Sequence, residues 1–236
     1  MLHVNIVTIF PEFFTTPLGL SIPARARTAG SVSYRAVDLR DFTHDRHRTV
    51  DDYAFGGGPG MVMKPEPFFE AVDALGARAP IVLVSARGRH FTQADAVRFA
   101  SGEELTILCG HYKDVDQRVA DFLATEELSL GDFVLSGGEP AALAIVDATV
   151  RLLPGAMSDH ESARTDSFWE CTGISAPNYT RPVEYRGHAV PEVLLSGNHK
   201  RIAEWRRAEA ERLTRERAER TESERQAPTS TDGSEG

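Results

Sequence analysis

Cysteine is scarce: the 236 residues hold two, Cys109 and Cys171, in unrelated contexts and without a CxxC pair. A disulfide scaffold and a cysteine zinc site are thereby excluded, and a reducing, cytoplasmic compartment is the expectation. Long apolar runs are missing too. The longest, such as residues 81–84, cover a handful of positions, far short of the ~18 a membrane-crossing helix needs, so no membrane association is expected. The first ten residues carry no basic n-region and no cleavage site, and no signal peptide is expected from them. Neither a GxGxxG nor a Gly-Lys pair occurs, which leaves a Rossmann dinucleotide site and a Walker A loop unsupported. LSGGE at residues 135–139 looks like an ABC-transporter signature. Without a phosphate-binding loop that likeness is accidental.

Positive charge is also short, with 26 Lys+Arg against 35 Asp+Glu and a net charge of −9. The deficit is uneven. Residues 101–147 hold ten acids against two bases, a local −8, whereas residues 1–50 hold six arginines against four acids, a local +2. Phosphate attraction follows the field within a Debye length of ~8–10 Å, so the total does not exclude a nucleic-acid partner.

The chain contains an alternation. Residues 2–9 (LHVNIVTI), 31–37, 81–85 (IVLVS) and 105–109 (LTILC) read as strands, with Pro11 suited to the first turn of a following helix. Thr92-x-x-Asp95 resembles a capping box, and Asp114-x-x-Gln117 reads as a better one. Residues 139–153 read as an apolar helix with Leu143, Val146, Val150 and Leu153 on one face. Continuous apolar strands alternating with helices predict an α/β fold, a mostly parallel sheet with helices on both faces. After Pro154-Gly155 the period is lost. The predicted division is an α/β domain over 1–155, a polar linker over 156–182, a small helical domain over 183–225 and a disordered tail over 226–236.

Three segments carry chemistry. Residues 41–61, DFTHDRHRTVDDYAFGGGPGM, form a long stretch without apolar period inside a compact pattern, and such loops are usually functional or disordered. Its basic cluster and its glycine run suit an anion or a flat base. Three turns follow strands: SARGR at 85–89, CGHYKD at 109–114 and LGDFVLSGGE at 130–139. Ligands of open α/β sheets bind outside the carboxyl ends of strands, so these turns predict a crevice. The third segment is Arg151 with Asp159, His160, Glu161 and Asp166. His160 and its flanking acids are adjacent rather than at a ligand spacing, and no metal site is assigned.

The chain resembles the bacterial tRNA (guanine(37)-N(1))-methyltransferase family. The likeness rests on RDFTHDRHRTVDD at 40–52, GGGPGM at 56–61, GDFVLSGGE at 131–139, RTDSF at 164–168, YTRP at 179–182 and VLLSGNH at 193–199. It implies a methyltransferase of the SPOUT class with a deep trefoil knot, a homodimer whose active site lies at the interface, and S-adenosylmethionine as methyl donor. Matched residue by residue, the cofactor candidates are Ser85 and Gly88, then Gly110 and Tyr112. In the third turn they are Leu130, Gly131, Asp132, Phe133, Val134, Leu135, Gly137 and Gly138. The resemblance places the general base at Asp166 and the group that offsets charge on guanine O6 at Arg151. It directs Arg46, His47 and Asp51 to the tRNA anticodon stem-loop, with Tyr53 and Phe55 able to stack on a splayed base.

This chain departs from the family pattern in places. Lys113 stands where a glutamate linked to magnesium dependence is common, which puts magnesium in doubt. Asp114 replaces a glycine and Ala86 a proline. The C-terminal region is reduced to a run of nine basic and seven acidic residues over 200–225. An alternative reading is an RNA-binding module of the same fold with impaired catalysis.

Overall fold

The computed structural model describes residues 1–157, 166–169 and 173–226, with side chains through residue 223. Its first strand, β1 (Leu2–Thr8), ends at a short 3₁₀ turn, Pro11–Phe14, with Pro11 in the first helical positions. Helix α1 (Ser21–Thr28) leads into β2 (Val32–Asp38). Two short strands follow, β3 (Asp51–Tyr53) and β4 (Met61–Met63), and then α2 (Pro65–Leu75), which stops at Gly76 in the left-handed conformation. Next come β5 (Ile81–His90), α3 (Gln93–Ala100), β6 (Glu104–Cys109), β7 (Asp114–Val115) and α4 (Gln117–Phe122). The series ends with β8 (Glu126–Ser129) and α5 (Glu139–Val150).

Five of these strands form one parallel sheet in the order β2-β1-β6-β5-β8. Alternation along each strand sends side chains to opposite faces, and both faces are covered. Leu2, Val4 and Ile6 of β1, Val82 of β5, and Leu105 and Ile107 of β6 pack with α1, α3 and α5 through Ala26, Phe99, Ile145 and Val146. The intervening Val7, Leu83 and Leu108 face the other way and pack with α2 and α4 through Phe68, Val72 and Val119. Fully burying an aliphatic side chain contributes about 1.5–3 kcal/mol. A strand apolar on both faces is therefore stable only between two helical layers, as the sequence predicted.

The details correct the reading in two places. Thr92 and Asp95 form the expected capping box on α3. Asp114 does not cap α4: it lies in β7 and accepts from the N–H of Val115, and the cap is Asp116, whose carboxylate accepts from the Arg118 N–H. The stretch 41–61 is also not free of elements. Strand β3 pairs antiparallel with β4, and β4 pairs parallel with β7, with Val62 opposite Asp114 and Met63 opposite Val115. The small sheet thus joins the glycine run to the second of the three turns.

The chain divides into two compact units, Met1–His160 and Glu161–Gly236. In the second, β9 (Glu184–Tyr185) and β10 (His188–Ala189) make a hairpin, followed by α6 (Glu192–Leu195) and the long α7 (His199–Gln226). The stretch 156–182, read as a linker without a packed element, has a packed part in this second unit. Ile174 donates its N–H to Thr214 Oγ1 of α7 at 2.9 Å. The tail 227–236 and the triplet Asp159, His160 and Glu161 lie outside the described residues.

Candidate functional site

The three turns meet where the sheet ends. Strand β5 sets up the first: Val84 and Arg89 both pair with Leu128, so residues 85–88 bulge out of the ladder. A Cβ on Gly88 would lie 2.4 Å from the Leu128 nitrogen, so only glycine allows β5 to close back onto β8. The second turn leaves β6 at Cys109. It is tied to the third by a bridge between His111 and Gly137 and by the Gly138 N–H donating to the Gly110 carbonyl at 2.8 Å. The third leaves β8, where the Ser129 hydroxyl donates to the Gly131 carbonyl at 3.0 Å.

Between the turns lies an open cleft with about 830 Å³ of atom-free space. Of the twelve cofactor candidates, ten line it: Ser85, Gly110, Tyr112, Leu130, Gly131, Phe133, Val134, Leu135, Gly137 and Gly138. Gly88 and Asp132 are not in the lining. Gly88 serves the strand contact, and Asp132 points to solvent, 3.0 Å from His90. The cofactor candidates left out several wall residues, among them Arg87 and His111, with Lys113 and Asp114, which the sequence offered only as departures from the family pattern. Each lies within one of the recognised turns, which was the available signal. Arg87 pairs with Asp114 at 3.1 Å, and Lys113 packs along the glycine run, its Cβ 3.4 Å from where a Cβ on Gly60 would be.

Behind the wall is a buried carboxylate that the sequence reading passed over. Glu139, first residue of α5 and 3% exposed, accepts from the Thr8 hydroxyl at 2.7 Å. His111 Nδ1 is 3.8 Å from the same carboxylate, and the ring packs edge-on against Phe10 and Tyr112. Burial, with the Glu139 charge adding to it, pushes the Cys109 thiol well above its ordinary range, so this cysteine is held as an inert neutral thiol.

The remaining candidates sit elsewhere. Arg151 caps the C-terminal end of α5 and is half-buried. Asp166 is half-buried in the second unit, so the two proposed catalytic groups are described in separate units. Arg46 and His47 are exposed on the loop before β3, and Asp51 is half-buried in β3 opposite Met63. That loop is shaped by Asp45. Its carboxyl is held below the usual range by the Thr49 N–H, then the Thr49 hydroxyl, with the His47 N–H adding, against slight desolvation. Tyr53 at the end of β3 and Phe55 just beyond it are almost wholly exposed.

Comparison with known proteins adds the rest. The model of the family described as tRNA (Guanine-1)-methyltransferase TrmD matches residues 2–223. A tRNA (guanine-N(1)-)-methyltransferase of Persephonella marina is 52% identical over 205 residues, 86% of this chain and 80% of the relative. Proteins of the same name from Mesorhizobium japonicum and Gloeobacter violaceus are each 50% identical. They cover 90% and 92% of this chain, and 93% and 96% of their own lengths.

Proposed function

The chain belongs to the tRNA (guanine-1)-methyltransferase family, and on that premise we propose that it transfers a methyl group from S-adenosylmethionine to N1 of guanosine 37 of tRNA, beside the anticodon. The observation that carries this reading is the convergence of ten expected cofactor residues on one cleft. S-adenosylmethionine fits that cleft. Main-chain groups of the glycine turns would bind the adenine edge, while Leu83, Leu130, Leu135 and Ala141 enclose its ring. Magnesium suits the same wall poorly, because Lys113 presents an ammonium there and the neighbouring carboxylate, Asp114, is paired with Arg87. No step here runs through a metal.

When bound, the cofactor supplies an electrophilic methyl group on a cationic sulfur. The chain's residues make guanine a nucleophile. N1 carries a proton at neutral pH, and Asp166, brought to within ~2.6–3.2 Å, takes it as the N1–methyl bond forms and the methyl–sulfur bond breaks. The Arg151 guanidinium offsets the negative charge that moves onto O6. Arg46, His47 and Asp51 hold the anticodon stem-loop, and Tyr53 or Phe55 stacks on a splayed base. The exposed Phe133, Val134 and Leu135 form an apolar rim suited to a partner surface. They favour a homodimer with the active site at its interface, the cofactor turns being threaded as the SPOUT knot. Among the described residues no helix is long and apolar enough to cross a membrane. A tRNA substrate favours the cytoplasm.

The test is methyl transfer from labelled S-adenosylmethionine to tRNA transcripts carrying guanine or adenine at position 37. Label should enter the guanine transcript alone. Asp166→Ala should lose about 10²–10⁴ in rate, and Arg151→Ala about 10²–10³. Label on both transcripts would discard the assigned target. Absence of label despite cofactor and tRNA binding would leave the RNA-binding module in place of the enzyme.

A further inference from the structure

Polar residues 166–182 give no packing period, yet the part around Asp166 is tied by several hydrogen bonds. Ser175 donates its N–H to Ser167 Oγ at 3.0 Å, and the two hydroxyls are 3.0 Å apart. The Phe168 N–H donates to the Gly173 carbonyl at 2.5 Å, and the Trp169 N–H to the Asp166 carbonyl at 3.3 Å. These bonds close residues 166–169 and 173–175 into a clip. Phe168 adopts φ 66°, a left-handed conformation that bulky side chains avoid unless their surroundings enforce it.

The clip is tied to α7. Thr214 Oγ1 accepts the Ile174 N–H at 2.9 Å. Gly173 has φ +120°, and a Cβ there would lie 2.5 Å from Thr214 Oγ1 and 2.7 Å from its methyl group, so the clip meets the helix at backbone distance. Three residues further along the same helix face, the Arg217 guanidinium lies 4.8 Å from the centre of the Phe168 ring. Asp166 is one residue from Ser167 and two from Phe168, both fixed by these contacts. Its main chain, whose carbonyl accepts the Trp169 N–H, therefore belongs to the segment that the helix anchors.

We propose that Thr214 and Arg217 are positioning residues for Asp166: the charged C-terminal helix acts as the mount of the general base. This rests on the reading of Asp166 given above. A helix that only gripped tRNA phosphates would have no use for a threonine hydroxyl on the clip's main chain. The energetic logic is that of orientation, since displacing a reacting group by about 1 Å can cost ~10²-fold in rate.

The experiment uses the full chain with Thr214→Val, Thr214→Ser and Arg217→Ala, each alone and combined with Asp166→Ala. Single-turnover methyl transfer at saturating donor and tRNA is measured beside the tRNA dissociation constant. In a Trp205→Phe background, which leaves Trp169 as the one tryptophan of the two, emission reports the clip directly. Thr214→Val should slow transfer by about tenfold or more, leave tRNA affinity unchanged and shift Trp169 emission to the red. Thr214→Ser should restore both signals. Combined with Asp166→Ala, Thr214→Val should add no further loss, because the two act as one unit. A Thr214→Val loss that persists undiminished beside Asp166→Ala, or that appears only in tRNA affinity, overturns the inference and leaves Asp166 as the base. So does a wild-type rate with unshifted emission. Wild-type transfer by Asp166→Ala overturns the base assignment and this inference with it.

Discussion

Glu139 joins two sheet-end elements through a bond that neither end can replace. The Thr8 hydroxyl closes β1 onto the first turn of α5, and the carboxylate that accepts it is buried. Glu139→Ala would leave that hydroxyl without its acceptor in a buried site and should destabilise the chain by about 1–3 kcal/mol. Glu139→Gln keeps an acceptor oxygen and should cost less. Urea unfolding at neutral pH compares the two, and a wild-type midpoint for the alanine variant would show that the bond contributes nothing. This pair was illegible in the sequence, because its members are 131 residues apart and no local pattern links them. The cleft residues were legible for the opposite reason. Ser85 and Gly110 each stand at the end of an apolar strand, where an open sheet places its ligands, and Leu130 opens a glycine-bearing turn. Gly88 was visible as a glycine, but its reason, the approach of β5 to β8, belongs to the fold.

Helix α3 shows how one element can be fastened by a single residue. Asp95 completes the capping box and also meets Arg89 of β5 and Arg98 of its own helix, at 2.6 and 3.1 Å. Its carboxyl is held well below the usual carboxylate range, first by Arg89 against the opposing effect of burial, with Thr92 and Arg98 adding. A depressed folded pKa means stability that is fully present above the unfolded value near ~4 and is lost as pH falls through the folded one. Asp95→Asn should therefore lower the unfolding midpoint at about pH 7, and the gap to wild type should narrow by about pH 2.5. A gap of constant width would assign the effect to the cap alone. The box was readable because Thr92-x-x-Asp95 precedes a helical period. Asp114-x-x-Gln117 has the same form but misled, since Asp114 is taken by β7 and by Arg87 and the cap falls to Asp116. Strands as short as β3, β4, β7 and β8 carry too few residues for any period to register.

At the scale of the whole molecule, the two-faced parallel sheet was readable because its central strands are apolar throughout. Strand order and the clip on α7 were not, being set by long-range pairing and by a threonine accepting a main-chain N–H. Charge presents the same contrast in a form that can be measured. A chain of net charge −9 that binds tRNA does so through the arginines that its own acids leave free. Arg46 is exposed and makes no ion pair among the described residues, whereas Arg212 is held by Glu209 and Glu216 at 2.6 and 2.7 Å. Each phosphate contact steepens the fall of log affinity with log salt by about 0.7–0.9. Arg46→Ala should therefore weaken tRNA binding and flatten the salt dependence by about one contact. Arg212→Ala should leave the slope unchanged, because a guanidinium neutralised within its own helix releases no counterion from the RNA. Titrations over a series of salt concentrations separate the two, and a slope flattened by Arg212→Ala but unchanged by Arg46→Ala would move the phosphate contact from the N-terminal loop to the helix.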